Sequence, residues 1–265
     1  MKNPLQYGAM DAKRISLDRY PVRALLALAC GLITSLSHAQ TIRLDVDFDS
    51  MPTGVVDTVG STSPTLAEVN AATFGGSWDF SYATGVPYIR HDLGGAGDQA
   101  LDVRSGSGSG TAAGLDFDTP IIPHKISSAD PAVIAFETSQ RNGTGYERDS
   151  YWRLYSDTTL LFTLTLDDGT IKLNGAGFGS MGVGPNTGLA NWDSTSPLIW
   201  PVSFSIYPDG QVDIVFGGAE TNTTISTTAT VDRLEIAWKN TNNGIYLNDI
   251  TITDPAPQGT LVVLR

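Results

Sequence analysis

Three groups of residues carry side chains able to act on a ligand or hold one. The first is Glu147-Arg148-Asp149. It holds two carboxylates close together. Such a pair can divide the work of glycoside hydrolysis, one as nucleophile or base and the other as acid. The second group is aromatic: Tyr146, Tyr151, Trp152, Trp192 and Trp200, with Arg153 among them. Sugar rings stack their C–H faces on such side chains while Asp, Asn and Arg hydrogen-bond the ring edge. Tyr151 with Arg153 is also the pairing a polysaccharide lyase would need, a tyrosine with a basic neighbour. The third group is acidic side chains suited to calcium, Asp92 and Asp98 in a glycine-rich turn and Asp249 near the C-terminus. Each group has a plainer account as well: solvated charges for Glu147 and Asp149, core packing for each ring taken singly, surface carboxylates for the rest.

Other chemistries are absent. The chain has 1 cysteine and 3 histidines, and Cys30 and His38 fall in the N-terminal leader described below. His91 and His124 remain, too few for a His-rich zinc site. There is no G-x-S-x-G elbow, no P-loop and no dinucleotide fingerprint.

The elements that must position these residues are strands. Pro201 to Gly218, PVSFSIYPDGQVDIVFGG, alternates Val202, Phe204 and Ile206 with polar neighbours, then Val212, Ile214 and Phe216 with others. A period of two implies one buried face. Pro208-Asp209-Gly210 suits a three-residue loop with a bulge, which sets Ile206 against Val212, Phe204 against Ile214 and Val202 against Phe216. A second hairpin, Leu160 to Leu173, turns at Asp168-Gly169, a two-residue type I′ loop that pairs Leu166 with Ile171 and Leu164 with Leu173. Thr41 to Asp49 is a strand with an acidic face, read either as solvated carboxylates or as part of a cation site. Ala132 to Thr138, AVIAFET, reads as a central strand covered on both faces. Tyr151 to Tyr155 is an aromatic strand, and Leu234, Ile236 and Trp238 share the buried face of another. The strand after Ala113 is expected to stop at Pro120, because proline cannot donate to a ladder. Asn174 to Asn191 reads as a long glycine-rich loop, and Ala67 to Ala72 as one helical turn. About a dozen short strands and no long helix predict an all-β, two-sheet antiparallel β-sandwich.

Residues 1–39 read as a cleaved signal peptide. A basic stretch ending at Arg23 precedes a largely apolar region of thirteen residues, Ala24 to Leu36, and Ser37-His38-Ala39 supplies small residues before Gln40. That run is too short to cross a bilayer core of about 30 Å. Lipoprotein processing at Cys30 is the alternative, although Leu28 stands where a small residue is wanted. Removing the leader takes away five of the 16 basic and two of the 28 acidic residues, moving the net charge from −12 to −15. So acidic a surface repels nucleic acid and anionic lipid, and no membrane insertion is expected once the leader is gone. A cysteine-free exported domain of roughly 215 residues, 40–254, suits a bacterial periplasm or exterior. Residues 255–265 read as a C-terminal tail without a sorting signal, which suits a released protein.

Four segments, LDVDFDS near the N-terminus, QALDV at Gln99 to Val103, FSIYPDGQVDIVF and the terminal GIYLNDITIT, resemble the concanavalin A-like lectin/glucanase superfamily, a jelly roll that includes laminin-G-like and legume-lectin domains. The resemblance covers nearly all of residues 40–254. It implies two curved sheets with ligands on the concave sheet or at one rim. Glycosidases of that superfamily follow Glu-x-Asp-x-x-Glu or Glu-x-Asp-x-Glu. Here Glu147 and Asp149 match the first two positions, while Tyr151 and Trp152 stand at the third. Ala135-Phe136-Glu137-Thr138 is similar to the cation strand of legume lectins but lacks its first carboxylate. The resemblance therefore implies a secreted, non-catalytic, lectin-like module binding a polysaccharide or glycoconjugate, or mediating adhesion. A glycan-cleaving hydrolase or lyase of the same fold, or a structural envelope protein without a small ligand, are the alternatives.

Overall fold

Phe204 meets Phe136 edge-on at 5.8 Å between ring centroids and Phe162 at 5.3 Å, the first on its own sheet and the second on the sheet opposite. Around these rings two antiparallel sheets close into a sandwich. The computed structural model describes residues 41–56, 64–80, 85–91, 99–105, 110–140, 149–167, 169–180, 199–239 and 244–255.

In chain order the first elements are β1 (Thr41–Val46), β2 (Gly54–Val55), α1 (Leu66–Ala71), β3 (Thr73–Phe74), β4 (Gly76–Asp79), β5 (Gly85–His91), β6 (Gln99–Ser105) and β7 (Gly110–Ile121). Then come β8 (Ala132–Gln140), β9 (Asp149–Ser156), β10 (Thr159–Asp167), β11 (Thr170–Leu173) and β12 (Ala176–Ser180). The last are β13 (Trp200–Ile206), β14 (Gln211–Phe216), β15 (Ala219–Thr224), β16 (Val231–Lys239) and β17 (Gly244–Asp254). The larger sheet runs β15-β14-β13-β8-β17-β6-β5-β2, with β1 on β17 and β3 on β1; the smaller runs β12-β11-β10-β9-β16-β7-β4. The single described α-helix, α1, is one short stretch capped by Thr65, whose hydroxyl accepts the Glu68 N–H while Glu68 reaches back to the Thr65 N–H. No helix among the described residues is long and apolar enough to cross a membrane.

Both predicted hairpin registers are present. Ile206 pairs with Val212, Phe204 with Ile214 and Val202 with Phe216. Leu166 pairs with Ile171 and Leu164 with Leu173. In the first turn the Gly210 N–H donates to the Tyr207 carbonyl at 3.0 Å and Gly210 takes φ +85°.

Three expectations need correction. β7 runs through Pro120 to Ile121. It does so because Asp116 opposes Arg233 and Ile121 opposes Val231, so Pro120 falls inside a register shift that asks no N–H of it. β8 is central, between β13 and β17, but only its inner face is fully covered. Ile134 and Phe136 are buried, whereas Val133, Ala135 and Glu137 are half-buried. Within the stretch read as a long loop, Ala176–Ser180 is an edge strand with no buried residue. Its glycines carry no apolar period, which hid it. The tail from 256 on and residues 1–40 lie outside the described residues.

Candidate functional site

The outer face of the smaller sheet gathers the chemistry. β9 alternates from Ser150 to Tyr155: Trp152 and Leu154 point into the core, while Tyr151, Arg153 and Tyr155 stand half-buried on the outside. Across the ladder, Arg153 opposes Glu235 of β16 and Tyr155 opposes Arg233. On the far side of β16, Arg233 opposes Asp116 of β7 and Glu235 opposes Gly114.

These neighbours form two linked sets of contacts. Arg153 donates to Glu235 at 2.9 Å, and the Tyr155 hydroxyl donates to the same carboxylate oxygen at 3.4 Å. The Arg153 guanidinium also lies over the Tyr151 ring, 5.1 Å from its centroid, and the Tyr151 hydroxyl donates to Asp149 at 2.9 Å. In the second set, Arg233 donates to both oxygens of Asp116, at 2.8 and 3.0 Å, and more loosely to Asp79 at 3.4 Å. Gly114 leaves the space Arg233 crosses to reach Asp79; a Cβ there would stand 2.1 Å from its terminal nitrogen. Lys172 of β11 pairs with Asp167 of β10 on the same face.

The electrostatics follow from this crowding. Burial, then the hydrogen bond and charge of Asp149, push the Tyr151 phenol far above its usual range. Burial and the Glu235 charge raise Tyr155 as well. For Arg233 burial opposes the charge, but the hydrogen bond and charge of Asp116, with Asp79, outweigh it and hold the guanidinium above its ordinary value. Both phenols therefore stay protonated at neutral pH, as hydrogen-bond donors rather than bases. Beside Tyr155 an open depression of about 550 Å³ is lined in part by Asp116, Tyr155, Asp157, Asp232, Arg233 and Glu235.

Among the sequence-predicted site residues, Tyr151, Arg153 and Asp149 come together here. Trp152 does not: it is fully buried and packs edge-on against Phe216, 5.3 Å between centroids. One position out of phase on a strand is the opposite face. Trp200 is also buried, tilted against Phe216. Asp149 is buried and accepts the Tyr151 hydroxyl. Asp249 is exposed at a bulge of β17, with φ +48°. Among the described residues no group of three His, Cys, Asp or Glu side chains gathers to hold a metal ion. Asp49, on the acidic N-terminal segment, instead accepts the Gln99 N–H at 2.7 Å and ties that loop to β6. Tyr146, Glu147, Trp192, Asp92 and Asp98 lie outside the described residues, as does the side chain of Trp238. Sequence reasoning missed Tyr155, Glu235, Arg233 and Asp116. The signal was present in β16, where Arg233 and Glu235 alternate with the apolar Leu234 and Ile236.

No family model matches the sequence, and no curated protein matches it. Solved structures do. A carbohydrate esterase from the Shiga toxin-encoding bacteriophage phi24B is 13% identical with a TM-score of 0.47, over 82% of this chain and 99% of that one. The CBM2 module of the evolved Dit of Lactobacillus casei BL23 phage J-1 is 11% identical with a TM-score of 0.44, over 84% of this chain and 100% of that one. An alginate lyase of polysaccharide lyase family 7 is 9% identical with a TM-score of 0.44, over 83% and 95%. The protein is an all-β sandwich of two antiparallel sheets.

Proposed function

We propose that the protein is an exported, lectin-like module that binds carbohydrate on the outer face of its smaller sheet. The observation that carries this reading is the alternation of β9, which sets Tyr151, Arg153 and Tyr155 in a row on the outer face, with Tyr155 at the edge of an open depression. Tyr151 and Tyr155 are four positions apart, about 13 Å along a strand, longer than one sugar ring. The ligand is thus an oligosaccharide, with its rings over the tyrosines and its hydroxyls on the Arg153–Glu235 pair between them. Binding without cleavage fits Asp149, which is buried and engaged by the Tyr151 hydroxyl.

The test is binding of the purified protein to a broad glycan array, with and without a calcium chelator, and a search for released product. Specific binding without product, lost in Tyr151→Ala and Tyr155→Ala with the fold intact, is expected. A blank array would overturn the reading, and product release abolished by Glu147→Ala or Asp149→Ala would replace it with an enzyme.

A further inference from the structure

Resting on that glycan-binding reading, we infer that the site selects its ligand by charge: it takes neutral or amine-bearing glycans and turns away polymers of uronic acids. Asp116, Asp157, Asp232 and Glu235 line the depression beside Tyr155, and Arg233 is the one cation among the described lining residues. The cations of the face whose side chains are described are already engaged. Arg233 donates to Asp116 and Asp79, Arg153 donates to Glu235, and Lys172 pairs with Asp167.

A uronate carboxylate would have to take one of these cations from its partner. The protein carboxylate left behind would be partly buried and without its cation, which weakens binding. Glu235, with its side chain only 12% exposed, is the clearest case. The incoming charge would also meet four carboxylates at one depression, on a chain of net charge −12. At physiological salt, charges interact over about 8 Å, so carboxylates around one depression act together. A sugar hydroxyl meets the opposite situation. The Asp116 side chain is 47% exposed, which leaves room for a ligand hydroxyl to donate to it while it keeps Arg233. An ammonium group donates to the same oxygens and gains from the field besides. Hydroxyl and ammonium donors match this surface, and further acceptors do not.

The experiment compares three probes on the purified full chain at low and high salt: chitosan oligosaccharides, cello-oligosaccharides, and oligogalacturonate. Chitosan and cello-oligosaccharides are expected to bind at least about tenfold more tightly than oligogalacturonate at low salt, with the gap narrowing as salt rises. Thr158 is exposed and lines the same depression. Thr158→Lys adds a cation without removing any carboxylate, so it should strengthen oligogalacturonate binding severalfold and weaken chitosan binding. Oligogalacturonate bound as tightly as cello-oligosaccharide, with Tyr151→Ala and Tyr155→Ala still abolishing binding, would overturn the charge selection and leave the glycan site standing. An unchanged ranking in Thr158→Lys would also overturn it. Binding of no glycan at all would overturn both.

Discussion

The Arg233 guanidinium occupies the space over Gly114 that a side chain would fill, and this lets one residue bridge Asp116 of β7 and Asp79 of β4. A Cβ on Gly114 would stand 2.1 Å from the guanidinium nitrogen. The obstructed atoms are the far end of a flexible side chain, not backbone. Gly114→Ala should therefore expel Arg233 from its bridge and leave the sheet intact. The expected cost in a urea titration is about 0–1 kcal/mol, the worth of a partly exposed ion pair. Glycan affinity should change more than stability does. A loss of several kcal/mol would mean that Arg233 is held too firmly to swing aside.

Arg153 and Glu235 are paired more deeply, with 28% and 12% of their side chains exposed. Arg153→Met keeps the apolar stem and removes the charge, leaving Glu235 with the weaker Tyr155 hydrogen bond. Its expected cost is about 1–3 kcal/mol. Glu235→Gln keeps an acceptor for both Arg153 and Tyr155 and should cost less. The double variant should be less destabilised than the sum of the singles, a coupling on the order of 1 kcal/mol in a thermodynamic cycle. Strict additivity would mean that the pair contributes nothing beyond its parts.

The raised phenols make a prediction at alkaline pH. In the unfolded chain tyrosine loses its proton near pH 10. In the fold Tyr151 and Tyr155 hold theirs to higher pH, through burial and through Asp149 and Glu235 respectively. The unfolded state thus binds fewer protons above that point, and stability falls as pH rises. The contribution is fully present below about pH 10 and is lost above it, as pH climbs through the folded values. Unfolding midpoints measured from pH 8 upward should drop steeply past pH 10. Tyr151→Phe should flatten that drop, and an equally steep drop in Tyr151→Phe and Tyr155→Phe would assign it to other groups.

Much of this fold was legible because two independent signals agreed. In each hairpin the apolar period demanded one register and the turn residues demanded the same one, so Phe204 against Ile214 followed without any knowledge of the opposite sheet. Where a single signal stood alone, reading failed. Ala176–Ser180 has no buried side chain to mark it as a strand. Pro120 marked an end that a register shift made unnecessary. The site was half legible for the same reason. Tyr151 and Arg153 share a strand and a phase, which sequence shows. Arg153 with Glu235, or Arg233 with Asp116, are cross-strand partners far apart in the chain, and pairing two strands requires the topology. Trp152 was assigned to the site because its residue type suits sugars, although its phase on β9 belongs to the core.

The turn that sets the first hairpin should also limit what it tolerates. Gly210 has φ +85°, and a Cβ there would lie 2.3 Å from the Ile225 carbonyl oxygen. The obstruction is backbone, and Gly210 is tied to it, since the Ile225 N–H donates to the Gly210 carbonyl at 2.9 Å. Nothing at this contact can swing away as Arg233 can at Gly114. Gly210→Ala therefore combines an unfavourable φ with a steric shift, and the expected loss is about 1–3 kcal/mol. Asp209→Ala removes only an exposed bond in which Asp209 accepts the Gln211 N–H at 3.0 Å, and should cost about 1 kcal/mol or less. The register should survive both changes, because a one-residue slip would carry Val212, Ile214 and Phe216 out of the core. Hydrogen exchange should show the β13–β14 amides weakened but still protected in Gly210→Ala. Glycan binding on the other sheet should stay at its original strength in the folded variant. Exchange as fast as in an unfolded chain, confined to β13 and β14, would mean that the turn and not the apolar face holds the pairing.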